Sequence, residues 1–147
     1  MTNIRRLIAA FWFGSGAFIA IAAAAIFRAA GDPFTAANVV GAVLSRWHYI
    51  ALLAPLVLLL LEWRRQRGRI ILLLFIAIFI AALESLIDVR IATMRQRSVV
   101  PISSLSRGDP VRRQFGMLHG ISTLLLLADV VAAAAVIALG DRDVMQS

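Results

Sequence analysis

The chain has 147 residues, of which 61% are hydrophobic and 16% charged, where soluble globular proteins carry about 45–50% and about 25%. A water-soluble core of this size cannot hide that much apolar surface, so the composition points to an integral membrane protein. All fifteen basic residues are Arg, against eight acidic ones, for a net charge of +7, and no Cys is present. That excludes disulfides, thiolate-bound zinc, iron–sulfur clusters and thiol nucleophiles.

A hydrocarbon core about 30 Å thick calls for roughly 20 apolar residues per helix. The first such stretch is 7–27, behind Arg5 and Arg6 and closed by Arg28. It exceeds the 7–15 residues of a signal-peptide core and is read as a retained helix. Next comes Asp32-Pro33, an N-cap followed by proline at the first helical position. It predicts a short helix over 33–45 that lies in the interface or leads straight into the second span. That span, 47–63, has Trp47 and Trp63 at its ends, where aromatic belts sit, and Pro55 in its middle, where a kink is expected. The third span is 70–89, its helix continuing to about Arg97. A basic loop over 98–114 with Pro101, Gly108 and Pro110 follows, then a fourth span over 115–139 and a polar tail from Gly140. The fold class expected is an all-α four-helix membrane bundle in one domain.

The fourth span contains Asp129, and a central Asp costs about +2.5 to +3.5 kcal/mol on the insertion scale. The Leu, Ile, Phe and Val around it contribute about −0.3 to −0.6 kcal/mol each, which together offset that cost. Orientation follows less directly from charge. Seven Arg fall on the side of the N-terminus and eight on the other. The turn 62–69, with four of those Arg, favours both termini in the cytoplasm, in a bacterial plasma membrane.

Ionisable groups inside a bilayer are candidates for function. His48 and His119 fall near the same membrane face, as two axial ligands of a b-type haem would, or as separate chlorophyll or metal ligands. The plainer reading places His48 in an interfacial Arg46-Trp47-His48-Tyr49 cluster and lets His119 hydrogen-bond across helices. On the fourth helix His119, Ser122 and Asp129 share a face, and on the third Glu84 and Asp88 are i, i+4 neighbours. Glu84, Asp88, His119 and Asp129 could line a proton or cation path. Alternatively, Asp129 is neutral or paired with an Arg, and Glu84 and Asp88 bind Arg90 or Arg46. His119, Ser122 and Asp129 do not form a catalytic triad, because three residues on one helix cannot face each other. No His pair has metal-ligand spacing on a helix, and no metal site is expected.

Small residues four apart let helices approach closely: Gly16-Ala20-Ala24, Ala77-Ala81-Ser85 and Gly116-xxx-Gly120. They support a compact bundle or a face for a partner. The basic loop lacks the aromatic interleaving of nucleic-acid binders, so its expected counter-charges are anionic lipid headgroups or an acidic partner, not nucleic acid.

The run Phe-Gly-Met-Leu-His-Gly-Ile-Ser at 115–122, preceded by Asp109-Pro110, resembles an uncharacterised bacterial four-helix membrane family, domain of unknown function 4149, which is related to transmembrane protein 205 of eukaryotes. Trp12 to Gly14, the 37–45 segment and the arginine-rich end of the third helix extend the resemblance. A proline near the end of the first helix and an Asn after the His-x-x-Ser element are missing. The resemblance implies four helices, transfers no catalytic residue, and suggests that His119 and Ser122 belong to a shared structural element.

The expectation is a non-enzymatic accessory or scaffolding subunit of a larger bacterial membrane complex, bioenergetic or photosynthetic, with pigment contact through a His. The alternatives are a b-type haem electron-transfer protein using His48 and His119, or a small proton or cation carrier using Glu84, Asp88 and Asp129.

Overall fold

A computed structural model describes residues 3–63 and 68–145. Arg64, Arg65 and Arg67, on which the orientation argument leans, lie outside the described residues. Four helices follow one another: α1 (Asn3–Ala29), α2 (Pro33–Trp63), α3 (Gly68–Arg97) and α4 (Pro110–Met145). All four are long and apolar enough to cross a membrane. At 1.5 Å per residue they measure from ~40 Å (α1) to ~54 Å (α4), more than the ~30 Å hydrocarbon core, so the longer ones project past it or tilt within it.

Two Asp-Pro pairs set the helix starts. Asp32 accepts from Phe34 N at 3.2 Å, Thr35 N at 2.8 Å and Thr35 Oγ1 at 2.8 Å. These bonds favour its ionised form, the Thr35 backbone N–H most, then the Thr35 hydroxyl and the Phe34 N–H, and they hold its pKa below the ordinary 3.8. Asp109 accepts from Val111 N at 2.8 Å and Arg112 N at 3.4 Å. Pro33 and Pro110 each occupy the first helical position, where a missing N–H costs nothing.

The helix limits settle one sequence alternative and move two boundaries. Residues 33–45 are not a separate interfacial helix. They are the first turns of α2, because no breaker separates Asp32 from Trp47 and the chain leads straight into the span. The fourth helix begins at Pro110, so the loop shrinks to 98–109 and includes a single 3-10 turn at Ile102–Ser104. At the far end α4 continues through residues assigned to a polar tail, as far as Met145. The helix of α2 also runs unbroken through the buried Pro55.

The helices form a closed ring, α1 against α2 and α4, α3 against α2 and α4. With four consecutive spans this is an up-and-down bundle whose Asn3, Trp63, Gly68 and Met145 ends share one face. Its core near that face is Ala9, Trp12, Leu58, Leu74, Ala133 and Val136, all 0% exposed. A second cluster toward the other face contains Ile19, Trp47, Ala51, Ala81 and Leu126. Large apolar side chains such as Phe18, Leu60, Phe79 and Leu124 point outward from every helix. Apolar surface inside and outside is what a bundle dissolved in lipid requires.

Candidate functional site

The polar groups of the sequence converge where α2, α3 and α4 meet. Glu84 and Asp88, one turn apart on α3, both approach His48 of α2: Nε2 lies 3.6 Å from Glu84 Oε1 and 3.3 Å from Asp88 Oδ2. Asp88 turns its other oxygen to α4, where Ser122 Oγ donates at 2.8 Å. Glu84 is 0% exposed and His48 8%. Neither oxygen of Glu84, nor His48 Nε2, has a hydrogen-bond partner. The three side chains line a cleft of about 930 Å³ that also contains Ala24, Phe27, Arg95 and His119 and lies in the half of the bundle bearing Ala29 and Arg97. Arg95 is anchored at its wall, donating to Ala37 O at 3.1 Å and lying 5.4 Å from the Phe115 ring centroid.

Asp129 lies deeper. It is 0% exposed and accepts the Trp12 indole N–H at 2.8 Å across the bundle. Trp12 O in turn accepts from Ser15 Oγ at 3.0 Å, and Ser15 Oγ accepts from Trp47 Nε1 at 3.3 Å. At the opposite end Arg5 pairs with the fully buried Glu62 at 3.3 Å and donates to Leu61 O. Between Asp129 and this pair stand Ala9, Leu58, Leu74, Ala133 and Val136, which close the bundle with apolar contacts.

The structure brings together His48, Glu84, Asp88 and Ser122 and separates others expected to act with them. Glu84 and Asp88 meet His48, where Arg90 or Arg46 was expected; the Arg46 guanidinium folds back to Ala42 O. Asp129 meets an indole, not an Arg. Of the interfacial cluster, Arg46 and Tyr49 face out while Trp47 and His48 are buried, so Trp47 is a core residue and only Trp63 remains at an exposed edge. His119 sits exposed on the cleft rim with its ring stacked on Phe115, centroids 6.3 Å apart at 5°. The structure gives His48 and His119 different surroundings: His48 Nε2 faces the two carboxylates of α3, and His119 stacks on Phe115 at the cleft rim.

Gly16 and the Ala77-Ala81 pair pack inside the bundle, as their spacing predicts. A Cβ on Gly16 would lie 2.8 Å from Val130 Cγ2 and 3.0 Å from Trp47 Cζ2. Gly116 and Gly120 do not pack there; neither has a neighbour within 4 Å of an added Cβ, and they face away from the bundle. Sequence reading missed the roles of Trp12, Ser15 and Trp47. For Trp12 the signal available was an indole N–H inside the apolar run 7–27; Trp47, between Arg46 and His48, reads in sequence as an interfacial ring.

Fold and site together define a polytopic helical membrane protein with a polar cluster enclosed between three of its four spans. The chain belongs to the family described as a domain of unknown function, DUF4149, whose model matches residues 7–98. That match covers α1 to α3 and stops before the 115–122 run on which the sequence resemblance was most specific. Neither the curated proteins nor the solved structures contain a significant match.

Proposed function

We propose that this chain is a non-enzymatic carrier that takes a small cation from the face bearing Ala29 and Arg97 into the middle of the bilayer. One observation carries the reading. His48, Glu84 and Asp88 are held together inside a membrane bundle, at the wall of a cleft confined to the half that bears Ala29 and Arg97. Two carboxylates in such a place are expensive, and a cation offsets that cost directly. Among the cleft groups, Glu84 and Asp88 contribute −2 and Arg95 +1, a net −1 with His neutral. Asp129 supplies a further acceptor beyond the cluster, and the apolar closure around Leu58 and Val136 makes this the form open to one side. With the termini in the cytoplasm of a bacterial cell, the cleft faces outward, and the bound ion is delivered when that closure loosens.

The test is flux into proteoliposomes loaded with cation-sensitive dyes. Wild-type protein accelerates entry of at least one small cation, and Glu84→Gln or Asp129→Asn slows it at least tenfold. Flux no faster than in empty vesicles rejects the reading.

A second reading, an accessory subunit of a larger membrane complex, is supported by the outward Gly116 and Gly120, since small residues four apart are where partner helices pack closely. Purification in mild detergent tests it: a partner that is lost on Gly120→Leu supports the role, and a chain migrating alone rejects it.

A further inference from the structure

We propose that His48, Glu84 and Asp88 form the binding site of one divalent first-row transition cation, with Ser122 as the group that orients Asp88. This deepens the carrier reading by naming the ion class, and it rests on that reading only for the ion's onward movement.

The argument begins with separations. A direct hydrogen bond from an imidazole to a carboxylate spans about 2.7–3.2 Å. The His48 Nε2 distances are 3.3 and 3.6 Å, and neither Nε2 nor either oxygen of Glu84 has any hydrogen-bond partner. Nitrogen and oxygen ligands stand about 2.0–2.2 Å from zinc, and a tetrahedron of that radius has edges of about 3.3–3.6 Å. The two pairs therefore stand at the spacing of groups sharing an ion. One atom from each of the three residues lies within 4.8 Å of the other two, and the Glu84–Asp88 edge needs to stand below about 4.4 Å, twice the ligand distance, when an ion is held between them.

The second argument is the surroundings. Glu84 is fully buried and its carboxylate is aimed at His48 with nothing donating to it. A buried carboxylate left without donors is costly unless a cation stands beside it. Asp88 keeps one oxygen for the cluster while Ser122 Oγ holds the other at 2.8 Å, the arrangement by which outer groups fix a ligand's orientation. One imidazole with two carboxylates suits Zn²⁺, Mn²⁺ or Fe²⁺ better than a soft ion such as Cu(I), for which thiolate or thioether would be expected. Three protein ligands leave a fourth position, and it opens on the cleft, so an ion can enter without unfolding the bundle.

The experiment uses the full chain in detergent, freed of metal with a chelator and titrated with Zn²⁺ and with Co²⁺. The expected result is one ion per chain, with a visible d–d spectrum of four-coordinate Co²⁺ that Zn²⁺ displaces. Ser122→Ala should weaken binding about 10- to 100-fold, and Glu84→Gln or His48→Gln at least as much. Because a core variant can fail to fold, the wild-type Co²⁺ spectrum and its displacement stand as a measurement free of substitutions. Absence of stoichiometric binding to the wild type overturns the proposal. So does binding that survives in a folded His48→Gln, Glu84→Gln double variant, which marks an adventitious ion. Stoichiometric binding without flux in vesicles upholds the site and removes the carrier reading.

Discussion

Trp12 has one polar hydrogen, and it donates that hydrogen to Asp129 across the bundle. In hydrocarbon neither group finds water, so removing the donor leaves the carboxylate with the full cost of an unmet acceptor, about 1–3 kcal/mol. Trp12→Phe keeps most of the ring volume and should lower the unfolding free energy in detergent by that amount, read as a lowered thermal midpoint. An unchanged midpoint would show the bond to be dispensable. Gly16 tests packing at the same depth. Gly16→Ala drives a methyl group against Val130 and Trp47, and overpacking of this kind costs about 1–3 kcal/mol. Val130→Ala removes the nearer obstacle, so the double variant should recover part of the loss, measured as a coupling in a double-mutant cycle.

At the level of elements, the starts of α2 and α4 are each decided by a carboxylate and a proline, written in the sequence as Asp-Pro. The first pair marks the start at Pro33 in sequence as in structure; the second, at Pro110, lies five residues before the apolar run at 115 from which composition predicts α4. Asp32 is fully exposed, and its lowered pKa gives the sign of a pH effect: its capping as a carboxylate is present above the ordinary 3.8 and is lost as pH falls through the lowered value. Protection of the Phe34 and Thr35 amides from hydrogen exchange, taken relative to the intrinsic rate at each pH, should therefore fall in acid, and Asp32→Ala should show the same low protection at neutral pH. Asp32→Asn, itself a good cap, should behave like wild type near neutrality. Exchange in Asp32→Ala that matches wild type throughout would remove the cap from the account of α2.

For the molecule as a whole, four consecutive spans put Asn3 and Gly68 on one face and Gly31 and Ser103 on the other. The chain has no Cys, so single cysteines at these exposed positions are clean reporters. A membrane-impermeant maleimide should label Gly31→Cys and Ser103→Cys from outside intact spheroplasts and reach Asn3→Cys and Gly68→Cys only after permeabilisation. The reverse pattern keeps the bundle and inverts the proposed orientation; a mixed pattern breaks the four-span topology. Along α1, Arg5 and Arg28 stand 23 residues apart, ~34 Å of helix, which matches the hydrocarbon thickness and explains why the basic residues gather in two rims.

What the amino-acid sequence determined by itself was the number of spans, their approximate limits and the rare ionisable side chains within them, because burial in lipid is decided by composition over about 20 residues and by the rarity of charge within them. Glu84 and Asp88 were legible as a pair because helical spacing is local. His48 could not be assigned to them: it is 36 residues from Glu84 on another helix, and nothing in a single chain states which face of α2 meets α3 when all faces are apolar. For the same reason the outward Gly116 and Gly120 and the inward Gly16 look alike in sequence. Helix rotation and neighbour choice are properties of packing. Tertiary structure alone decided them, when Trp12 found Asp129, Ser122 found Asp88, and two carboxylates and an imidazole came to face one another inside the bilayer.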